Sequence, residues 1–394
     1  MREPKAVATS LGSFVHVAEL QSRSFHQAVR PDKQNVLVHL GKEGMLVETP
    51  LPARASEVAR ESATRLRFLA DDKPPLWFTV DLSEPDAPAV GAVTPAPSLA
   101  HRGTLKAFAS DGERALLGRY QVDYDAKPTR YFGETALYSV PDGKRTSPAL
   151  AVTAWSAACR AKRCVAAASG EGLSVPVELH GVQDSGGERL ATLENPSGWF
   201  VSLVLGEHFV VAHPGANGLS LVAVDLATWA VTHKKVALRV GWMQAGELSG
   251  RSGLWLGPDQ ANLAFLPISA GLEVGEPESL PRSSYSQQLF APLADGLLRV
   301  EQTIGHGMIH SPTDLGIRRY FRVWSFEGRA GLLRPSARGW RAEPTLELPH
   351  DGDEGRHSNG PSARPLVRPG WAAVVVDDSP GGKSEVLLVG RPCE

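Results

Sequence analysis

His306, His310 and Asp314 fall within the polar stretch Ile304–Ile317, and His350, Asp351, Asp353, Glu354 and His357 fall within Pro349–Gly370. Four of the twelve histidines are therefore concentrated in two segments. Imidazoles and carboxylates converging from separate segments are what a borderline divalent cation takes as ligands, and they are also the groups that move protons in general acid–base chemistry. On that chemistry His306, His310, Asp314, His350 and His357 are candidate ligands of a divalent metal. His306, His310, His350 and Asp351 are the corresponding candidates for a hydrolase, lyase or cyclase centre. The competing reading is a solvated connection, because Asp351-Gly352-Asp353-Glu354-Gly355 and Ser358-Asn359-Gly360-Pro361 are rich in turn formers. His306-x-x-x-His310 is not a helical zinc-protease motif: Glu is missing at its second position, and Gly305, Gly307 and Pro312 oppose a helix.

A second segment, Tyr120–Phe132, carries Asp123, Tyr124, Asp125, Arg130 and Tyr131. Aromatic rings beside Arg and Asp are the usual contents of a surface that contacts a sugar or a peptide, and the alternative is a loop folded over its own aromatics. Other patterns point to structure. Gly382-Lys383-Ser384 lacks the leading glycine of a phosphate-binding loop and precedes a strand, so it reads as a hairpin turn. Arg318-Arg319-Tyr320-Phe321-Arg322-Val323-Trp324 interleaves charge and aromatics, but as a strand it packs arginine stems along apolar neighbours. There is no Gly-x-Ser-x-Gly elbow.

Cys159 and Cys164 flank Arg160-Ala161-Lys162-Arg163, a short basic link between two apolar runs. Directly opposed residues of an antiparallel pair lie within disulfide reach, so a hairpin disulfide is expected, the alternative being two reduced thiols. A zinc site is not completed by any nearby Cys or His pair. Cys393 has no evident partner. A disulfide implies an oxidising compartment, hence periplasm, cell surface or exterior. The segment Met-Arg-Glu-Pro-Lys lacks the apolar stretch of a secretory signal, which leaves a cytoplasmic chain or one whose leader has been removed.

The elements that must position these residues are written as a repeat. Trp155, Trp199, Trp242 and Tyr285 stand 44, 43 and 43 residues apart, and Trp371 follows 86 further on. After each comes a short apolar run, a turn and a second apolar run. The chain resembles the β-propeller superfamily along most of its length, without the Trp-Asp ending of WD40 blades, the double glycine of kelch blades or a sialidase Asp box. The resemblance implies an all-β single domain over residues 1–394, with seven four-stranded blades and six or eight as alternatives. The strands of residues 14–49 are expected to share one closing blade with those from Trp371 to Val389, removing an exposed sheet edge. Ala53–Arg65 has the composition of a short helix. In such a ring the connection between second and third strands, and that between one blade and the next, emerge on the same face. That parity brings the insertions near 120–132, 304–317 and 349–370 together.

Composition narrows the partners. A formal charge of −2, from 41 basic and 43 acidic residues, removes the electrostatic argument for nucleic acid. No apolar run reaches the length of a membrane span. The expectation is a monomeric, exported propeller that binds a protein, peptide or carbohydrate through its insertion-bearing face, with an enzyme that uses a His/Asp site on that face as the alternative.

Overall fold

Residues that read as unbroken apolar runs form the middle strands of sheets buried on both sides. In the run His208–Gly215, Phe209 and Val211 pack toward the preceding sheet while Val210 and Ala212 pack toward the following one. Alternation with a period of two thus serves two interfaces at once, and no position is left for a polar side. The computed structural model describes residues 6–390 except 10, 21–22, 43, 71–73, 98–103, 124, 126–128, 170–175, 194–198, 216–217, 260–261, 286, 294–295, 313–317, 337–338, 343–345, 349–361, 369–370 and 379–382. Over several strand segments, 303–312 and 318–328 among them, it describes the backbone alone.

The strands assemble into antiparallel sheets that follow one another along the chain, with no α-helix among the described residues. Blade 1 comprises Gly12–Leu20, Arg23–Val29, Asn35–Leu40 and Leu46–Pro50, and blade 2 is built on Glu57–Arg60, Arg65–Ala70, Leu76–Asp81 and Thr94–Pro95. Blade 3 has three strands, Thr104–Ser110, Arg114–Asp123 and Arg130–Ser139, with the bridges Thr135–Leu150 and Tyr138–Arg145 in place of a fourth. Blade 4 runs Thr153–Arg160, Arg163–Ser169, Glu178–Gln183 and Gly186–Thr192; blade 5 runs Val201–Leu205, His208–Gly215, Gly218–Asp225 and Val231–Val236. Blade 6 runs Trp242–Leu248, Arg251–Gly257, Ala264–Pro267 and Glu278–Ser279. Blade 7 runs Gln287–Leu293, Gly296–Pro312, Arg318–Ser336 and Gly339–Ala342, and blade 8 takes Ser362–Arg368, Trp371–Asp378 and Lys383–Gly390 from one end of the chain and Ala6–Thr9 from the other.

The ring is a β-propeller with seven blades four strands across, as expected, completed by the three-stranded blade 3. Eight sheets therefore make the circle, the larger of the alternatives weighed alongside seven. One apolar cluster fills each junction between neighbours, from Leu11, Phe14 and Leu366 between blades 8 and 1 around to Ala291, Val300 and Val374 between blades 7 and 8. The closing blade is shared by the two ends of the chain, but through a different strand than expected. Ala6–Thr9 pairs with Leu387–Ser384, and residues 12–50 bury enough apolar surface to form a sheet of their own. Glu57–Arg60 is a strand and not part of a helix, because Val58 packs toward blade 1 and Ala59 toward blade 3.

Trp155 and Trp242 lie at the start of an innermost strand, and Trp199 and Tyr285 just precede one. Trp371 does not belong to that set, since it opens the second strand of blade 8 and packs on Gly44 of blade 1, donating its indole N–H to the Lys42 carbonyl at 3.0 Å. Cys159 and Cys164 are opposite partners on the blade 4 ladder, 4.0 Å apart at Cα, and are joined as a disulfide. The turn between them, Ala161-Lys162, holds positive φ at both residues, 48° and 65°. Each such non-glycine residue costs on the order of 1 kcal/mol, so the crosslink clamps a turn that its own residues disfavour.

The seam around blade 1 contains polar groups. One carboxylate oxygen of Asp86, from blade 2, accepts from Arg23 of blade 1 at 2.7 Å and from Arg368 of blade 8 at 3.2 Å. His39 is fully buried beside this triad, and its ring nitrogens have no partner. His26 is buried against His16 and Arg364, and Nε2 donates to the Pro365 carbonyl at 3.1 Å. Burial, reinforced by Arg23 and Arg368 and opposed by Asp86, lowers His39 to about 4. Burial, with His16 and Arg364, lowers His26 to about 3. The unfolded chain takes up both protons near pH 6.5 and the folded chain does not, so stability falls as pH drops from about 6.5 toward 4. Urea midpoints at about pH 7 and pH 5 should show a loss on the order of 2 kcal/mol per unit, and His39→Leu should remove about half of that slope.

Candidate functional site

Strands within a blade alternate in direction, so the second strands of blades 3 and 7 end on the face on which the first strand of blade 8, Ser362–Arg368, begins; that strand takes up part of the insertion expected at 349–370, and residues 349–361 lie outside the described residues. The structure differs from the sequence reading in how these insertions are built. Tyr120–Phe132 is not a free loop: the blade 3 ladder continues out to Asp123 opposite Arg130, with Val122 opposite Tyr131. Ile304–Ile317 is likewise largely strand. The blade 7 register runs unbroken from Leu297–Leu333 to Pro312–Arg318, while the flanking strands stop at Gln302 on one side and Arg329 on the other. Ten further rungs, from Thr303–Glu327 to Pro312–Arg318, stand beyond the blade as a two-stranded arm about 30 Å long. Arg318–Trp324, read from sequence as a strand, is one, but it belongs to this arm and not to the blade. Ala330, Leu332 and Leu333 fill the blade instead.

The root of the arm is fixed by charge. Arg329 donates to the buried carboxylate of Glu301 at 2.6 Å and lies 5.0 Å above the Tyr285 ring. Arg299 approaches the same carboxylate at 3.4 Å and donates to the Pro281 carbonyl at 2.6 Å. Along the arm His306 stands opposite Trp324 and His310 opposite Tyr320. The extended backbone sets the two histidine Cα atoms about 13 Å apart. Asp314, His350, Asp351, Asp353, Glu354, His357 and Tyr124 lie outside the described residues, and no group of three or more His, Cys, Asp or Glu that could hold a metal occurs among the described residues.

On blade 3 the side chains are defined next to the hairpin. Asp123 accepts the Asp125 amide at 3.0 Å, closing a local turn, and Asp125 is exposed. The Tyr120 ring packs 5.7 Å from Trp155, and the Lys106 ammonium lies 5.7 Å over the same indole. The Trp155 N–H donates to Ser169 Oγ at 2.7 Å, which fixes the ring plane. Phe132 is 41% exposed. Together these groups offer flat apolar faces with a cation and carboxylates at the rim, suited to the apolar face of a sugar or an aromatic or aliphatic side chain of a peptide. Lys106 and Trp155 were not assigned to the site from sequence. Trp155 served only as a repeat marker, and Lys106 reaches it from another strand.

The hairpin approaches blade 4 so closely that no side chain fits between them. A Cβ on Gly133 would lie 2.3 Å from the Thr153 amide nitrogen, and one on Gly118 would lie 2.7 Å from the Ala154 carbonyl. Thr135 bolts the contact, donating to the Val152 carbonyl at 2.8 Å and accepting the Ala154 amide at 3.0 Å.

Fold and surface together define the chain as a β-propeller protein. No family model and no curated protein sequence matches it. Among solved structures it is similar to the WD40 domain of SCAP from fission yeast, with 10% identity, coverage of 100% of this chain and 99% of that one, and a TM-score of 0.45. The β-propeller domain of the Trilobed protease from Pyrococcus furiosus shares 10% identity over 80% of this chain and 93% of that one, with a TM-score of 0.41. The acylaminoacyl peptidase of Pyrococcus horikoshii shares 9% identity over 94% of this chain but only 58% of its own length, with a TM-score of 0.48. The likeness carries no functional argument at these identities and scores.

Because backbone and not a flexible side chain opposes the added methyl, Gly133→Ala should cost about 2 to 3 kcal/mol in chemical denaturation. Phe132→Ser, exposed and on the opposite face of the strand from that contact, should stay within about 0.5 kcal/mol of the parent.

Proposed function

We propose that this propeller is a binding protein of an oxidising compartment that engages a protein, peptide or carbohydrate through its hairpin-bearing face. The observation that carries the reading is the blade 7 arm. Ten rungs of backbone hydrogen bonding are maintained outside any blade. A two-stranded hairpin is only marginally stable alone in water, and both of its edges present unpaired amides and carbonyls, so such an element is costly unless a partner covers it. The blade 3 hairpin, with Asp123, Asp125, Arg130 and Tyr131 and the neighbouring Tyr120 and Trp155, provides a second contact region on the same side. The disulfide supports the compartment, since such bonds persist where thiols are not kept reduced.

Replacing residues 303–328 by an Asn-Gly turn should leave the melting temperature within a few degrees, because the apolar contacts of blade 7 lie below the arm. The same variant should lose most or all of the peptide or glycan ligands that the parent retains on display arrays. Unchanged array profiles would refute the role of the arm, and stoichiometric divalent metal that leaves with the arm would favour a catalytic centre there instead. For the compartment, protein purified without reductant from the cell envelope or medium should titrate one thiol after denaturation and three after reduction.

A further inference from the structure

The opposite end of the ring contains a cavity of about 610 Å³ that none of the foregoing sites uses. Its walls are the last residues of the innermost strands of blades 2 to 6 and the turns that follow them, the ends of those strands remote from the hairpins. Blades 2 and 6 are four steps apart in a ring of eight sheets, so they face each other across the channel.

The charges on this wall divide into those that are answered and those that are not. The buried Glu61 carboxylate accepts from Arg67 and, at 2.7 Å, from Ser110. Arg160, on the disulfide-clamped hairpin, is paired with Glu207 of the next blade. Two groups remain. The Arg60 guanidinium makes a single described contact, from Nε to the Ser62 carbonyl at 3.2 Å, and Glu247 has no hydrogen bond or ion pair among the described residues. Arg60 belongs to blade 2 and Glu247 to blade 6, so an uncompensated cation and an uncompensated anion stand on opposing walls. Between them the lining is mixed, with Val58, Phe108 and Val204 beside Ser62, Ser110 and Ser252.

We propose that this channel mouth binds a short peptide by its two free ends, with Arg60 receiving the carboxylate and Glu247 the ammonium. A ligand of one sign would answer only one wall, whereas a zwitterion with its charges separated by a few residues matches both walls, and the amides and side chains of a peptide suit a lining that is part polar and part apolar. The volume lies within the range of small-ligand sites and accommodates a few residues. Charge-assisted hydrogen bonds at each end supply the selectivity, because an uncharged end leaves one wall unanswered.

The test uses the full chain and trileucine with free termini, followed by calorimetry or ligand-observed NMR. Trileucine should bind saturably, and acetylation of its amine or amidation of its carboxylate should each weaken it at least about tenfold. The variants should cross over: Glu247→Gln abolishes the preference for the free amine alone, and Arg60→Gln abolishes the preference for the free carboxylate alone. Both groups line an open mouth outside the blade cores, and circular dichroism with the melting temperature confirms that each variant is folded. No saturable binding up to about 10 mM, equal binding of free and capped peptides, or binding indifferent to both substitutions would overturn the assignment. Deletion of the 303–328 arm should leave trileucine binding unchanged, so the two sites stand or fall separately.

Discussion

Every sheet in this molecule must bury two faces, and only a closed circle of sheets satisfies that requirement for all of them. The central strands carry apolar side chains on both sides, so a blade removed from its neighbours would expose two oily surfaces. The clusters at the junctions therefore hold the ring as a chain of links, four of them anchored by Phe209, Phe265, Trp77 and Phe68, which have essentially no solvent exposure. The hydrophobic contribution, on the order of 25 cal/mol per Å² of apolar surface, is distributed around the circle and not concentrated in one core. It also explains why the functional surfaces sit at strand ends: the flat faces are already occupied.

Polar groups inside the ring are arranged around single carboxylates. Asp86 serves Arg23 and Arg368, and Glu301 serves Arg299 and Arg329. In each case guanidinium groups outnumber the anion, and around Glu301 the Pro281 carbonyl and the Tyr285 ring take part of the excess. Such ionic contacts add little net stability once desolvation is counted, but they penalise wrong neighbours strongly. Asp86 touches three consecutive blades at the closure, so it favours the correct order of sheets where the apolar clusters, being chemically alike, would discriminate least.

The fold was legible because burial on both faces writes continuous apolar runs, and because Trp155, Trp199, Trp242 and Tyr285 mark the start of successive innermost strands. The second strands of blades 4 to 6 and the third strands of blades 5 and 6 fall close to their expected places for that reason, whereas the third strand of blade 4 is Glu178–Gln183 and not the expected Leu173–Leu179. The Cys159–Cys164 bond was legible from the length of one turn. The arm was not, since Gly305, Gly307 and Pro312 give Ile304–Pro312 the composition of a loop, and only the backbone partner on the far strand makes it extended. The closing strand, Ala6–Thr9, is four residues long and has no signature beyond its partner. The channel mouth could not be read at all, because its residues come in short runs or singly from five blades and are neighbours only once the ring exists. Of the candidate surface, the sequence marked the hairpin segments and their shared face, while the placement of Lys106 over Trp155 and of Arg60 and Glu247 on opposing walls emerges only from the fold.

The pairing of Ala6–Thr9 with residues near 384 sets an order of events during synthesis. Ala6–Thr9 is made before blades 1 to 7 and has to wait for Lys383–Gly390, which is made after them, and until then the growing array has two open ends. A growing chain can thus assemble its middle blades but cannot close the ring until Lys383–Gly390 has emerged. Any chaperone that guards the intermediate would have to shield those two edges until the circle is complete.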